Sequence, residues 1–276
     1  MIVVTGATGN VGRPLVHALR QAGAEVTAVS RSADVRVDLA VPSTLRPALD
    51  GARSLFLLVP GGGVDAHAVL KEVTAAGVGH VVLLSSQAAG TRPQTPSHAP
   101  LRALEDALRD AGVAWTVLRP GGFHTNAFAW VPSIREQRRV AAPFADVRLP
   151  SVDPADIAAV AAAALLDAGA HAGRTYTLTG PAATSPRERT ASIAAALGEP
   201  LEFVELSRAE ARAQLLAFMP EPVADGTLDI LGTPTDAERA VSGDVELVLG
   251  RPAVSFADWA RQHTAAFTID GGAAVR

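Results

Sequence analysis

The fold is decided by residues 2–12, which read Ile-Val-Val-Thr-Gly-Ala-Thr-Gly-Asn-Val-Gly. The three β-branched residues at the start predict a short buried strand, and apolar residues at helical spacing then continue to Gly23. The glycines between strand and helix let the backbone turn sharply and let a pyrophosphate approach the unpaired N–H groups of the helix. We therefore expect a cofactor-binding loop formed by Gly6, Thr8, Gly9, Asn10, Val11 and Gly12.

The same alternation of strand and helix patterns continues through the first half of the chain. Apolar runs predict further strands at residues 25–30, 54–59, 80–85 and 113–118, and helices that end at Gly77 and Gly112 lie between them. This rhythm predicts a doubly wound, mostly parallel, Rossmann-type α/β sheet. Ligands on such sheets bind beyond the carboxyl ends of the strands. The cofactor contacts expected there are Ser30, Arg31, Ser32, Val59, Pro60, Ser85, Pro120, Gly121 and Phe123.

The second half of the chain has a different pattern. Asp153-Pro154 predicts the start of an alanine-rich helix, and S-x-x-E capping boxes at Ser185 and Ser207 predict two more helices. Two prolines within residues 219–222 favour a hinge or loop. We predict a dinucleotide-binding domain over residues 1–150, to whose sheet a helix at about 153–168 and a strand at about 174–180 return. A smaller, mainly helical substrate or lid domain is expected over residues 181–276.

Composition excludes several classes of protein. The 276 residues include 24 Lys and Arg against 28 Asp and Glu, a balance that argues against a nucleic-acid coat or a polybasic membrane binder. With 0 cysteines the chain has no disulfides, thiolate nucleophiles or cysteine metal sites, and we predict no metal. It also lacks an apolar run as long as a membrane span and a basic segment typical of a signal peptide. We expect a cytoplasmic protein with a small-molecule substrate and no nucleic-acid or membrane partner, and the sequence leaves a homodimer open.

The spacing G-x-x-G-x-x-G resembles that of extended and atypical members of the short-chain dehydrogenase/reductase superfamily. Later motifs narrow this resemblance to NmrA-like NAD(P)-binding proteins, over nearly the whole chain. These motifs are Ser85-Ser86, the stretch from His98 through Glu105 to Gly112, residues 116–123, residues 176–181 and Gly250-Arg251-Pro252. The resemblance implies an NAD(P)-dependent enzyme that acts on electron-poor acceptors.

The residues after the second predicted strand favour NADP(H) over NAD(H). An acid at this place holds the ribose 2′-hydroxyl of NAD, but here Ser30-Arg31-Ser32 stands instead. The Arg31 guanidinium can form a fork on a 2′-phosphate, to which the serines can also donate. A solvated surface arginine is the alternative. The resemblance implies that Asp38 contacts the adenine amino group, and a turn or cap role is the alternative for that residue.

The usual acid–base pair of short-chain reductases is missing. Those enzymes use Tyr-x-x-x-Lys, but Tyr176 is the single tyrosine, Gly180 stands four residues after it, and Lys71 is the single lysine. His98 and Arg102, also four apart, occupy the place of the pair. The catalytic candidates are His98 and His124 as proton donors, with Ser85 and Ser86 as groups that polarise a substrate oxygen. For His98, packing at a helix start is the alternative.

A conjugated acceptor would remove the need for an acid. Hydride addition to a ketone creates a strongly basic alkoxide, whereas addition to a quinone, an iminium or a conjugated cation gives a weaker base or a neutral product. Such acceptors need positioning and desolvation more than an acid. We therefore predict an NADPH-dependent reductase of a small conjugated or quinone-like substrate. The loop after residues 113–118 forms an apolar wall with a few polar groups, and its predicted substrate contacts are His124, Asn126, Phe128 and Trp130. Phe218 is expected to close the other side, and Gln87 is a further predicted substrate contact.

Other interpretations stay open at this point. The aromatic residues of the wall would serve equally for packing between domains. The fold also accommodates a non-catalytic, NADP-binding, redox-sensing regulator, and it accommodates an epimerase, dehydratase or cyclase. Consumption of NADPH with a quinone distinguishes the reductase from the regulator.

Overall fold

A computed structural model describes residues 1–31, 35–59 and 64–268, and the chain forms two compact units. The first unit comprises Met1–Gly121, Pro154–Thr179 and Ser242–Ala253. The second comprises Gly122–Asp153, Gly180–Val241 and Val254–Arg276. These units are not the two spans expected from the sequence. Residues 122–150 belong to the second unit, and residues 242–253 belong to the first.

The first unit is built on a parallel sheet of seven strands in the order β3-β2-β1-β4-β5-β6-β8. All of its strand pairs are parallel, and the predicted doubly wound Rossmann-type sheet is confirmed. The chain order reverses between β1 and β4, which is where such sheets bind ligands. The described strands are β1 (Ile2–Thr5), β2 (Val26–Ser30), β3 (Val35–Arg36), β4 (Ser54–Leu58), β5 (His80–Leu84), β6 (Ala114–Pro120), β7 (Arg139–Pro143), β8 (Arg174–Leu178) and β9 (Glu202–Leu206).

Helices cover both faces of this sheet or build the second unit. Two 3₁₀ helices, Pro42–Leu45 and His124–Trp130, accompany them. The described α-helices are α1 (Gly12–Gln21), α2 (Arg46–Leu49), α3 (Ala66–Ala75), α4 (Gln87–Thr91), α5 (Ala99–Asp110), α6 (Val131–Gln137), α7 (Pro154–Leu166), α8 (Ala168–His171), α9 (Pro186–Leu197), α10 (Arg208–Leu215), α11 (Glu221–Gly232), α12 (Asp236–Arg239), α13 (Asp244–Leu249), α14 (Phe256–Gln262) and α15 (Thr264–Phe267).

The core of the first unit follows from its sequence pattern. Strands β1, β4 and β5 are apolar along their length because helices pack on both faces, and Val3, Leu55 and Val81 are fully buried. The alanines of α7 have little side-chain volume, so that helix packs closely against α1 and the central strands. Arg251 of the Gly250-Arg251-Pro252 motif forms an ion pair with the buried Asp156 of α7, at 2.8 Å.

The second unit combines helices with a small parallel sheet of β7 and β9. Its core is centred on Trp259, which is fully buried and packs among aliphatic and aromatic residues of α6, α9, α14 and α15. Of the hinge or loop predicted at residues 219–222, Met219 and Pro220 lie in the loop between α10 and α11, whereas α11 begins at Glu221 with Pro222 in its first turn. Proline is accepted there since the first helical N–H groups need no partner within the helix. In the described residues, no helix has both the length and the apolar character that a bilayer crossing requires.

Candidate cofactor-binding and catalytic sites

The glycine loop connects β1 to α1 through a backbone path that needs glycine at two positions. Gly6 has φ of 62°, in the left-handed region that residues with a Cβ rarely adopt. A Cβ on Gly12 would lie 2.1 Å from the carbonyl oxygen of Gly6, so the start of α1 rests directly against the loop. The Gly9 N–H donates to the same oxygen at 2.9 Å.

A cavity of about 220 Å³ opens beside this loop at the carboxyl ends of β1 and β2. Six of the predicted cofactor contacts line it, namely Gly6, Thr8, Gly9, Ser30, Arg31 and Asp38. Five further residues that were not expected from the sequence also line it, namely Thr5, Val29, Val37, Leu39 and Leu58. The polar one among them, Thr5, donates through Oγ1 to the Phe56 carbonyl at 3.0 Å and accepts from the Leu58 N–H at 2.7 Å. It thereby joins β1 to β4 beneath the cavity.

The residues that line the cavity fit an adenine dinucleotide. Gly9 lines the cavity without a side chain, which leaves room for a pyrophosphate, Arg31 supplies a cation, and Val29, Val37, Leu39 and Leu58 supply apolar surface. Asp38 fulfils the turn role considered from the sequence, because its Oδ1 accepts from the Ala40 N–H at 3.0 Å. It also lines the cavity, so that its carboxylate can serve an adenine amino group as well.

The remaining predicted cofactor contacts lie elsewhere. Asn10, Val11 and Gly12 form the end of the loop and the start of α1, and Val59 directly follows β4. Pro120 is the last residue of β6, and the Gly121 N–H donates to Leu178 of β8 at 3.0 Å. Phe123 belongs to the second unit, where it forms a bridge with Val152. Ser32 and Pro60 lie outside the described residues.

A buried charged cluster occupies the place where the sequence predicts Ser85 to act on substrate. Glu105 of α5 is 0% exposed and accepts from the Ser85 hydroxyl at 2.6 Å. Arg119 donates to both oxygens of Glu105, at 2.9 and 2.6 Å, and Arg109 donates at 3.0 Å. Burial by itself would raise the pKa of Glu105, but hydrogen bonds from Arg119 and Ser85 and the Arg119 charge outweigh it and lower that pKa. The carboxylate is therefore ionised at neutral pH and accepts the hydrogen bond that the Ser85 hydroxyl donates.

Ser86, Gln87 and His98 lie at the starts of two helices. Ser86 is the N-cap of α4, and its Oγ accepts from the Ala88 N–H at 3.2 Å. Gln87 is the first residue of that helix and is half-buried. His98 precedes α5, and its Nδ1 is 2.9 Å from the Ser97 hydroxyl. The helix-start position considered for His98 from the sequence is therefore the one it occupies.

His124 lies in the core of the second unit. It is 2% exposed within the second unit, where its ring packs edge-on against Phe256 with centroids 5.2 Å apart. Its Nδ1 lies 2.9 Å from the Ser151 hydroxyl, and its Nε2 lies 3.2 Å from the Val254 carbonyl. Burial lowers the pKa of His124 to about 4, so the ring is neutral at physiological pH. Both nitrogens therefore have partners within the second unit, and proton transfer from His124 to substrate stays a prediction.

The residues of the predicted aromatic wall differ in burial: Phe128 and Trp130 pack on the core of the second unit, whereas Asn126 and Phe218 are exposed. Phe128 packs on Trp259 with ring centroids 5.1 Å apart, and the half-buried Trp130 packs on the same core. Asn126 is exposed in the 3₁₀ helix, and Phe218, which follows α10, is 72% exposed. Packing within the second unit therefore accounts for Phe128 and Trp130, and their contact with substrate stays a prediction.

The single tyrosine and the single lysine lie on different elements, β8 and α3. Tyr176 is buried in the middle of β8, and its hydroxyl is 2.9 Å from Nδ1 of His171. Burial raises the pKa of Tyr176, whereas the lysine of the usual pair lowers it. Lys71 is exposed on α3. The usual acid–base pair cannot form from these two residues.

Comparisons with known proteins agree with this geometry. A family model described as NAD(P)H-binding matches residues 6–168. The (4-alkanoyl-5-oxo-2,5-dihydrofuran-3-yl)methyl phosphate reductase of Streptomyces griseus is 38% identical over 282 residues, which cover 97% of this chain and 99% of that protein. The NAD(P)H azoreductase of Xenophilus azovorans is 33% identical over 286 residues, with coverage of 97% and 99%.

A solved structure extends the likeness to three dimensions. The NADPH-dependent quinone oxidoreductase of Escherichia coli, in complex with NADPH, superposes with a TM-score of 0.81 at 26% identity, covering 95% of this chain and 99% of that one. All three proteins are named as reductases or oxidoreductases, and the predicted class of NAD(P)H-dependent oxidoreductase is confirmed. The NmrA crystal structure, that of a negative transcriptional regulator, shares the fold with a TM-score of 0.74 at 17% identity. The chain belongs to the NAD(P)H-binding family.

Proposed function

We propose that this protein binds NADPH in preference to NADH and reduces a small, conjugated, electron-poor acceptor, such as a quinone or an α,β-unsaturated carbonyl compound. The observation that carries the proposal is the buried hydrogen bond from Ser85 to Glu105. Because the Ser85 hydroxyl donates its one hydrogen bond to Glu105, it cannot also donate one to an alkoxide at the end of β5.

The hydrogen bonds of Ser85, His124 and Tyr176 support an acceptor that needs no side-chain acid. A serine hydroxyl can donate one hydrogen bond, and Ser85 donates it to the ionised Glu105 at 2.6 Å. Both nitrogens of His124 have partners, and the Tyr176 hydroxyl is engaged with His171. An isolated ketone, whose hydride adduct is a strongly basic alkoxide, would lack its usual proton source. The adduct of a quinone or an enone spreads its charge over several atoms, and water can protonate it.

NADPH, when bound, supplies the hydride. The glycine loop and the cavity beside it would hold the adenine half, with Gly9 next to the pyrophosphate and Asp38 beside the adenine. The NADP preference follows from Arg31, since no acidic residue stands at that position to hold a 2′-hydroxyl. A guanidinium binds a phosphate dianion through two parallel hydrogen bonds.

The names of the relatives support the same substrate class. The substrate of the streptomycete relative is a dihydrofuranone that carries an alkanoyl group, which places a ring double bond in conjugation with carbonyl groups. The other two names specify azo compounds and quinones. What these acceptors share is a conjugated, electron-poor system, and we assign that class to this chain.

The partners and the location follow from the proposed reaction. A small molecule is the expected substrate, and the near-neutral charge balance gives no reason to expect a nucleic-acid partner. We retain a cytoplasmic location and a homodimer as proposals, which fractionation and light scattering test.

The test compares two acceptors of equal size that differ in conjugation. We expect cyclohexenone to be reduced at least about a hundred-fold faster than cyclohexanone, the scale of a missing general acid, with a naphthoquinone also accepted. The Arg31→Glu variant, purified in the same way, controls for contaminating reductases. Comparable rates with both compounds would contradict the proposal. Tight NADPH binding with no acceptor reduced would instead favour the regulator.

A further inference from the structure

We infer that Arg13 is a second determinant of NADP specificity, and that it binds the 2′-phosphate together with Arg31. This inference rests on the proposed function, because it presumes the NADP preference assigned above. Arg13 is absent from every sequence-based expectation, since it follows the glycine motif and looks like an ordinary exposed residue of α1.

The position of Arg13 comes from a short chain of contacts. Its Nη2 donates to the carbonyl oxygen of Thr8 at 3.3 Å, so the guanidinium folds back over the glycine loop. The Thr8 hydroxyl is 3.4 Å from the hydroxyl of Ser30, and Arg31 is the next residue. Thr8, Ser30 and Arg31 line the same cavity. The Arg13 guanidinium therefore contacts the Thr8 backbone at the rim of this cavity, and Arg31 lines the cavity next to Ser30, the hydrogen-bond partner of Thr8.

The charges of these two arginines fit a dianion. A phosphate monoester carries about −1.5 to −2 charges at neutral pH, so a single guanidinium neutralises only part of it. In the part of the chain that the structure describes, neither Arg13 nor Arg31 is in an ion pair with a carboxylate. Arg109, Arg119 and Arg212, in contrast, are all paired with acids. Two unneutralised arginines beside one cavity match the charge of a 2′-phosphate.

The pyrophosphate is the competing ligand for Arg13, because the glycine loop lies next to the same side chain. The two assignments differ in what they predict. NADP⁺ and NAD⁺ share the pyrophosphate and differ only in the 2′-phosphate. A residue that binds the pyrophosphate affects both cofactors equally, whereas a residue that binds the 2′-phosphate affects only NADP⁺.

Calorimetric titration with NADP⁺ and with NAD⁺ tests the inference without an assay of activity. We expect Arg13→Ala to lower the affinity for NADP⁺ about ten-fold, the scale of a charge-assisted hydrogen bond at an exposed site, and to change the affinity for NAD⁺ less than about two-fold. The matched control is Arg20→Ala, on the same helix about 10 Å further along its axis. It removes one positive charge of the same kind and is expected to leave both affinities unchanged.

Each other outcome has a definite meaning. Equal losses for the two cofactors would overturn the inference in favour of the pyrophosphate, and an unchanged NADP⁺ affinity would overturn it outright. Equal affinities of the unmutated protein for NADP⁺ and NAD⁺ would contradict the proposed NADP preference itself. A preference that is lost in Arg31→Ala but kept in Arg13→Ala would refute only the role of Arg13. Circular dichroism of each variant verifies that α1 still folds.

Discussion

Replacement of Glu105 by glutamine is predicted to destabilise the first unit strongly, because the buried carboxylate binds Arg119 and Ser85. Glutamine keeps the shape of the side chain but removes the negative charge. Arg119, whose side chain is 18% exposed, would then lose the acidic partner that it has among the described residues, and Ser85 would lose an ionised acceptor. Breaking a buried ion pair by removing one partner costs about 3–5 kcal/mol, and partial access of Arg119 to water brings our expectation to about 3 kcal/mol.

The matched control is Asp106→Asn, one residue further along α5. Asp106 also pairs with two arginines, Arg102 at 2.9 Å and Arg109 at 3.0 Å, but its side chain is 48% exposed. Exposed ion pairs contribute little because water screens them, so we expect a loss below about 1 kcal/mol. Urea unfolding at neutral pH, followed by circular dichroism, measures both variants, and their m-values show whether the unfolded surface is unchanged.

Acid provides a second test of the same carboxylate. The pKa of Glu105 is lowered from 4.5 in the folded protein, so its contribution is fully present above that pH and is lost as the pH falls through the lowered folded value. The difference in free energy of unfolding between the unmutated protein and Glu105→Gln should therefore shrink in acid. A loss in Glu105→Gln no larger than that in Asp106→Asn, or a difference that persists in acid, would refute this reasoning.

Three further predictions concern the cofactor loop and the histidine core. Arg31→Glu should weaken NADPH binding at least about ten-fold and leave NADH binding nearly unchanged, and calorimetric losses of equal size would count against it. Gly9→Val should abolish cofactor binding with little loss of fold, because a Cβ there meets only the Gly6 carbonyl oxygen, at 3.3 Å, whereas the rest of the side chain fills the cavity. A folded variant that retains cofactor affinity would remove the loop assignment. Burial lowers the pKa of His124 to about 4 from 6.5, so unfolding takes up a proton and stability falls by about 3 kcal/mol as the pH drops across that range. A His124→Asn variant should lack this component, and an unchanged pH dependence would contradict it.

The sequence was sufficient for the features that depend on local pattern. The apolar runs of β1, β4 and β5 and the glycines between β1 and α1 predicted the sheet, its parallel order and the place of the cavity. Serine at positions 185 and 207 predicted two helix starts, and both capping boxes are present. Each of these signals lies within a few residues of the feature that it specifies.

Features that depend on distant partners could not be predicted. The role of Ser85 is set by Glu105, and the role of His124 is set by Val254, which is 130 residues away in the chain. Strands β7 and β9 are short and pair with each other across about sixty residues, so periodicity gave no signal for either. A carboxylate on the apolar face of α5, between Leu104 and Leu108, was the one local sign of the buried cluster.

The fate of a labelled hydride tests the central claim most directly. NADPH that carries deuterium at the transferring position of its nicotinamide is incubated with cyclohexenone, and the product is analysed by mass spectrometry and NMR. We predict a saturated ketone with deuterium on the carbon β to the carbonyl, formed at a rate that changes little between about pH 6 and pH 9 because no side chain must give up a proton. Deuterium on a carbinol carbon, with the double bond intact, would show reduction of the carbonyl group itself and would contradict the account.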